Sequence, residues 1–147
     1  METVKGRWIG IDYGNARIGV AVSDPTGMLA RRLETINWNG RDMEWAMLRI
    51  VDLIREHQAI GLVIGLPRRT DGQSGESESR ARQFADELAN RTGLAPILSD
   101  ERFTTVLASR VMRETGVRPD RRKKVIDQIA AEIILQEYLD KRRKGAV

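Results

Sequence analysis

A chain of 147 residues with 41% hydrophobic content is long enough to bury one core, and the absence of cysteine excludes disulfides and thiolate metal sites. No run of 18 apolar residues is present, and we expect neither a membrane-spanning segment nor a signal peptide in the polar start METVKGRW. With a net charge of +4, the composition favours one cytoplasmic domain over residues 1–147, in which oxygen ligands would hold any metal ion.

Two short apolar runs within residues 7–24 predict a β-hairpin. Apolar residues alternate there with small or polar ones, which is the period of a β-strand. Gly14 and Asn15 would form the tight connection between the two strands. Asp12 ends the first strand and presents a carboxylate at the turn, although a strand-end Asp often serves only to cap backbone N–H groups.

The next elements alternate between strand and helix. A turn at 24–27 precedes a third antiparallel strand candidate at 28–36. Apolar residues recur at helical spacing through 41–57, which predicts a helix packed on the sheet. The nearly all-apolar run at 60–66 is typical of a central strand covered on both faces, and Pro67 ends it.

The second half of the chain continues this alternation. A polar loop with Arg68 and Arg69 leads into a helix from about Ser77 to Arg91, which Gly93 would cap. Residues 95–99 form the last strand candidate. Two further helices are predicted, from Thr104 or Thr105 to about Glu114 and from about Lys124 to Arg142. Together these elements describe an α/β fold, with a mixed sheet and helices on its faces.

The net positive charge is confined to the end of the chain. Residues 118–144 carry nine Lys/Arg and five Asp/Glu, whereas the other residues carry equal numbers of each sign. A localised basic excess indicates a polyanionic partner such as nucleic acid, although a solvated helix surface would also account for it.

Three acidic positions suit an oxygen-rich metal site. Asp12 ends the first strand, Glu101 or its neighbour Asp100 ends the last, and Asp127 lies on the final helix. The two strands can place their carboxyl ends at one edge of the sheet, and small residues one turn after Asp127 allow the helix to approach closely. Two metal ions about 3.5–4 Å apart in such a site catalyse phosphodiester hydrolysis. Alternatively, Asp127 is a first-turn acid that interacts with the helix dipole.

Four segments, in this order and at these intervals, resemble the YqgF family, also called RuvX, of the ribonuclease H-like superfamily. They are IGIDYGNARIGVAVSD, VIGLPRRTDGQSG, DERFTT and DQIAAEIILQEYL, and the resemblance spans about residues 7–140. It implies a ribonuclease H-like fold with a five-stranded mixed sheet, three antiparallel strands followed by two parallel ones, and helices on both faces. It also implies a cytoplasmic bacterial nuclease that acts in 5′-end maturation of pre-16S rRNA or in resolving Holliday junctions.

The resemblance assigns roles to particular residues. It implies that Asp12, Glu101 and Asp127 are the catalytic triad and hold Mg²⁺ or Mn²⁺. Ala16 stands where Lys is common in the family, which removes one possible phosphate contact. We expect nucleic acid to be contacted by basic residues near these acids, namely Arg17, Arg68, Arg69, Arg102, Arg121, Arg122, Lys123 and Lys124.

Two other classes of function remain open at this point. One is a non-catalytic RNA-binding module, which the basic segment would serve equally well. The other is an actin-like or sugar-kinase-like ATPase, which shares the strand, Asp and hairpin phosphate motif but closes two such lobes over ATP. The chain has no GxxxxGK[ST] phosphate loop. The expected partner is nucleic acid, with the protein a monomer or weak homodimer that does not bind membranes.

Overall fold

The computed structural model describes residues 5–67, 75–101 and 122–145, together with Gly116. For Pro67, Asp100, Glu101 and residues 122–124 it describes the backbone. The helix predicted from Thr104 or Thr105 to Glu114 lies outside this part of the chain. The elements in the described part are β1 (Trp8–Tyr13), β2 (Arg17–Ser23), β3 (Ala30–Asn37), α1 (Met43–Glu56), β4 (Gly61–Pro67), α2 (Gly75–Thr92), β5 (Ile97–Glu101) and α3 (Arg122–Arg143).

The strands form one mixed sheet in the order β3-β2-β1-β4-β5. β1 is antiparallel to β2, β2 is antiparallel to β3, and β4 runs parallel to both β1 and β5. This arrangement confirms the predicted sheet of three antiparallel strands followed by two parallel ones. β4 lies between β1 and β5, so the strands of Asp12 and Glu101 are separated by one strand at the same sheet edge.

Helices cover both faces of the sheet because each central strand has two buried sides. Ile9 and Ile11 of β1 are fully buried in the core shared with α1 and α2. The alternate residue Trp8 belongs to the core on the other face, where Ala131 and Leu135 of α3 cover the sheet. Successive residues of β1 therefore pack alternately into two cores, one on each face of the sheet. Within the described part of the chain, α3 alone covers one of these faces.

Several element ends differ from the predicted ones, because pairing partners decide them. β3 begins at Ala30 instead of Met28, since the Gln136 side chain bonds the Met28 carbonyl and the Ala30 amide. β5 extends to Glu101 instead of Ser99, because its last two residues pair with the end of β4. The remaining shifts are small, with α1 at 43–56, α2 starting at Gly75 and α3 starting at Arg122.

Caps at the helix ends agree with the sequence signals. Asp42 accepts a hydrogen bond from the Trp45 amide at 2.9 Å and begins α1. Gly93 has a φ of +74° and donates its N–H to the Ala89 carbonyl, which confirms it as the cap of α2.

No helix in the described part of the chain combines the length and apolar character that a bilayer crossing requires.

Candidate active site

Asp12 lies near the carboxyl end of β1, on the face of the sheet that α3 covers. Gly10, two residues earlier in β1, faces the same side of the sheet, because residues two apart in a strand share a face. A Cβ at Gly10 would lie 2.6 Å from Leu135 Cβ and 2.9 Å from the Ala131 carbonyl oxygen, both on α3. Asp12 pairs with Gly19 of β2 and Gly65 of β4, so it stands between two residues without side chains.

Gly19 brings Asp127 next to Asp12. A Cβ at Gly19 would overlap the Asp127 carbonyl group and lie 2.9 Å from Asp127 Cβ, so the α3 backbone rests directly on β2. Gly19 and Asp12 are cross-strand partners, and such partners have Cα atoms roughly 4.5–5.5 Å apart. Two residues that are distant in the sequence therefore lie close together on one face of the sheet.

Arg17 forms an ion pair with Asp127. Arg17 Nε donates to Asp127 Oδ2 at 2.8 Å, and the Asp127 side chain is only 17% exposed. The Arg17 side chain is 40% exposed, so it is accessible to solvent beside Asp127. Sequence reasoning placed Arg17 among the nucleic-acid contacts and missed its bond to Asp127.

The turn that joins β1 to β2 is anchored from the opposite face of the sheet. The Ala16 carbonyl accepts hydrogen bonds from the backbone N–H groups of Trp38 and Asn39 at 3.1 and 2.8 Å. The Trp38 indole N–H donates to the Gly14 carbonyl at 3.2 Å, and the Asn15 amide donates to the Ser77 hydroxyl at 3.2 Å. These bonds fix the strand ends that position Asp12 and Arg17.

Tyr13 follows Asp12 and points into the other core. Its side chain is 3% exposed and packs against Phe84, with 5.1 Å between the ring centroids. Burial raises the pKa of the Tyr13 phenol, and the charge of Arg80 opposes this effect. The phenol therefore stays neutral at physiological pH, and Asp12 is flanked by a packed apolar residue.

The third predicted acid reaches the same edge through the sheet register. Glu101 pairs with Pro67, two residues beyond the row in which Asp12, Gly65 and Ser99 are aligned. Two strand spacings and two residues along the strand separate the Cα atoms of Asp12 and Glu101 by about 12 Å. Asp100 pairs with Leu66, so the two candidate acids occupy consecutive positions of β5.

The other predicted nucleic-acid contacts are only partly covered by the structure. Arg68, Arg69, Arg102 and Arg121 lie outside the described residues. The backbone of residues 122–124 forms the first turn of α3, which puts these three basic positions within two turns of Asp127. Three of the predicted basic positions therefore lie on the helix that carries one of the acids.

The donor chemistry suits a divalent cation. Carboxylate oxygens are the ligands that Mg²⁺ and Mn²⁺ take, and the backbone contact at Gly19 holds Asp127 close to Asp12. Among the side chains that the structure describes, no group of three potential metal ligands is assembled. Asp12 and Asp127 would supply two ligands to a metal ion at this edge, and a third would come from another position.

Similar folds occur in solved structures of junction-resolving enzymes. The structure of T. thermophilus RuvC in complex with a Holliday junction substrate matches with a TM-score of 0.62 and 15% identity, covering 95% of this chain and 96% of that one. Fowlpox virus resolvase in complex with Holliday junction DNA matches with a TM-score of 0.55 and 10% identity, covering 92% and 98%. At these identities the likeness establishes the fold, which confirms the predicted ribonuclease H-like architecture.

Sequence relatives are considerably closer. A protein of Mycobacterium ulcerans named "Putative pre-16S rRNA nuclease" is 48% identical over 143 residues, covering 96% of this chain and 82% of the relative. A protein of the same name from Roseiflexus sp. is 43% identical, covering 97% and 100%. The family model described as "RuvX: Holliday junction resolvase" matches residues 6–141. The chain therefore belongs to the RuvX family, as its four sequence motifs indicate.

Proposed function

We propose that this protein is a divalent-metal-dependent endonuclease that cleaves structured nucleic acid, with the 5′ end of pre-16S rRNA as its substrate. The observation that carries the proposal is the contact of the Asp127 backbone with Gly19, the cross-strand partner of Asp12. A glycine at this position lets the backbone at Asp127 approach the strand next to Asp12. The names of the relatives supply the class of substrate.

In this proposal the catalytic triad is Asp12, Glu101 and Asp127, with the three carboxylates as metal ligands. The Cα atoms of Asp12 and Glu101 are about 12 Å apart. That separation suits two carboxylate side chains with a pair of ions about 3.5–4 Å apart between them. When bound, the ions would activate a water molecule and neutralise charge on the phosphate and the leaving oxygen. Asp100, one residue earlier in β5, is the alternative ligand.

The protein's own residues orient the acids and the substrate. Arg17 restrains the Asp127 carboxylate through Nε, and its remaining N–H groups can donate to a phosphate oxygen beside the scissile bond. The basic positions 121–124 and the loop arginines Arg68, Arg69 and Arg102 would contact phosphates on either side. Such contacts position the nucleic-acid backbone without reading the base sequence, which suits an enzyme that recognises a structured substrate.

The proposal is tested by a cleavage assay with two substrates. Purified protein is incubated with a fragment that spans the 5′ end of pre-16S rRNA and with a four-way DNA junction, each in Mg²⁺, Mn²⁺ or EDTA. We expect metal-dependent cleavage of the rRNA fragment. Asp12→Asn should reduce cleavage to the EDTA level, because it removes a ligand charge and keeps the side-chain shape. Asp52→Asn, at an exposed position of α1, is the matched control and should cleave normally.

Each alternative outcome has a distinct meaning. Cleavage by Asp12→Asn at the wild-type rate would refute the triad. Binding of the RNA without cleavage in either metal would instead assign a non-catalytic RNA-binding module.

A second candidate function is Holliday junction resolution, which the family description and the likeness to the fold of RuvC favour. The same three carboxylates would serve it, because hydrolysis of the phosphodiester follows the same chemistry in RNA and DNA. Preferential, symmetrical cleavage of the four-way junction over the rRNA fragment would select this function.

A further inference from the structure

A second basic surface lies at the opposite end of α3 from Asp127. It surrounds a pocket of about 270 Å³, which we call the distal pocket. Three of its lining residues are cations, and they come from two separate parts of the chain. The lining residues are Lys5, Thr26, Gly27, Met28, Leu139, Arg142 and Arg143.

Arg142 is held in place by an aromatic cluster. Its guanidinium carbon lies 4.9 Å from the centroid of the Trp8 ring, and that ring packs against Tyr138 with 5.0 Å between the centroids. Stacking on Trp8 restricts the orientation of the guanidinium plane. Less side-chain entropy is therefore lost when this arginine binds an anion.

The turn that forms the opposite wall is also fixed. The Asp24 carboxylate accepts hydrogen bonds from the Thr26 hydroxyl and from the Met28 and Leu29 amides, at 2.9 and 3.1 Å for the amides. Gly27 has a φ of +74°, and a Cβ there would lie 3.6 Å from Arg142 Nη1. The turn therefore lies at ordinary contact distance from the Arg142 guanidinium.

Among the described residues, the acids beside the distal pocket are Asp24 and Asp140. Asp140 accepts a hydrogen bond from Arg143 at 3.0 Å, and the bonds to Asp24 come from its own turn. Cations in the last turn of a helix complement the helix dipole, which would account for Arg142 and Arg143 without any ligand. The dipole does not account for Lys5, which precedes β1 and nevertheless lines the same pocket.

We propose that the distal pocket binds a backbone phosphate of the nucleic-acid substrate, away from the bond that is cleaved. This inference rests on the proposed nuclease function and specifies how much substrate the enzyme contacts. Arg142 lies fifteen residues after Asp127 in α3, a distance of about 22 Å along the helix axis. That distance corresponds to roughly six or seven nucleotides of one strand in B-form DNA. A substrate that reaches both the acids and the distal pocket would therefore extend over several nucleotides on one side of the cleavage site.

The test uses Lys5→Ala/Arg143→Ala, which removes two charges and keeps the stacked Arg142. Its matched control is Arg55→Ala/Arg82→Ala, which removes two exposed charges from α1 and α2 on the other face of the sheet. Affinity for duplexes of about 5, 10 and 20 base pairs is measured in EDTA over a range of salt concentrations. Each phosphate that the variant no longer neutralises should lower the slope of log K against log salt by roughly 0.7–0.9.

We expect the pocket variant to lose affinity and slope on the two longer duplexes and to match wild type on the shortest, which cannot reach both sites. The control variant should keep the length dependence of wild type. An unchanged slope on all duplexes, with wild type still binding, would refute the distal contact alone. Failure of wild type to bind or cleave any nucleic acid would instead refute the proposed function.

A separate titration with inorganic phosphate identifies the source of the anion. A lone phosphate cannot use the contacts around Asp127, so we expect no saturable binding to wild type. Saturable phosphate binding that the pocket variant loses, together with an unchanged salt slope on the longer duplexes, would assign the distal pocket to a free anion and overturn the inference.

Discussion

Arg17 Nε and Asp127 Oδ2 are 2.8 Å apart and join the first residue of β2 to a residue 110 positions later in α3. The ion pair lies on the same face of the sheet as Asp12. Partly exposed ion pairs contribute up to about 1 kcal/mol to stability, so this one orients a carboxylate more than it holds the fold together.

Replacing Arg17 should separate metal binding from substrate binding. In Arg17→Ala the Asp127 carboxylate no longer accepts a hydrogen bond from a guanidinium. We therefore expect Mn²⁺ to bind more tightly and nucleic acid to bind more weakly. Calorimetric titration with Mn²⁺ and fluorescence anisotropy with duplex RNA measure the two effects. Arg55→Ala serves as the control, and weaker Mn²⁺ binding by Arg17→Ala would show that the arginine instead pre-organises the ligand.

Gly19→Ala should damage both stability and the site. The added methyl group would overlap the Asp127 carbonyl, and forcing α3 off the sheet typically costs about 1–3 kcal/mol. Urea unfolding measures this loss, and Mn²⁺ titration measures the accompanying loss of metal affinity. The control is Gly75→Ala, since a Cβ at Gly75 meets nothing within 4 Å and its stability should change by less than about 0.5 kcal/mol. Equal stabilities of the two variants would contradict the close contact.

The turn at Asp24 should make stability depend on pH. The Thr26 hydroxyl and then the Leu29 amide lower the pKa of Asp24 from 3.8 to about 2, because both stabilise the carboxylate. Its contribution is fully present above pH 4 and is lost as pH falls towards 2. Asp24→Ala should thus cost about 1 kcal/mol at neutral pH, after allowance for solvent screening, and almost nothing near pH 2. Thermal unfolding from pH 2 to 7 checks this, and a constant difference would contradict it.

The basic residues that precede Asp127 should add to the salt dependence of binding. Replacing Arg121, Arg122, Lys123 and Lys124 with Ala should lower the slope of log K against log salt by roughly 0.7–0.9 for each phosphate that these side chains neutralise. The same titration with Asp12→Asn in metal-free buffer should resemble wild type, because the loss in that variant is chemical. An unaltered slope for the four-Ala variant would make this stretch a solvated surface and leave the Arg68–Arg69 loop as the route of approach.

The sequence predicted the parts of the fold that depend on local patterns. Alternation in β1 and β2, the apolar run of β4 and the capping glycine Gly93 all correspond to observed elements. The end of β5 was misplaced by two residues, because its register with Leu66 and Pro67 is a property of the pairing and leaves no local pattern.

The proximity of Asp12 and Asp127 was predictable, and the way in which their elements meet was less so. A strand-end Asp12 and a helical Asp127 with small residues in the next turn suggested convergence. The closest approach, however, runs through Gly19, and the sequence offered only the run of small residues Gly19, Ala21 and Ser23 as a signal. The ion pair of Arg17 with Asp127 had no signal, because the two residues lie on elements whose distance only the folded chain sets.

The position of α3 at the end of the chain also determines when the proposed activity arises during synthesis. Ribosomes make β1 to β5 first, and until α3 follows, the face of the sheet with Trp8, Ala21 and Val63 lacks the helix that covers it. Asp12 also lacks Asp127 throughout that interval. A nascent chain whose α3 has not yet packed on the sheet would therefore carry no complete catalytic centre, and the docking of α3 would also be the step that switches the proposed activity on.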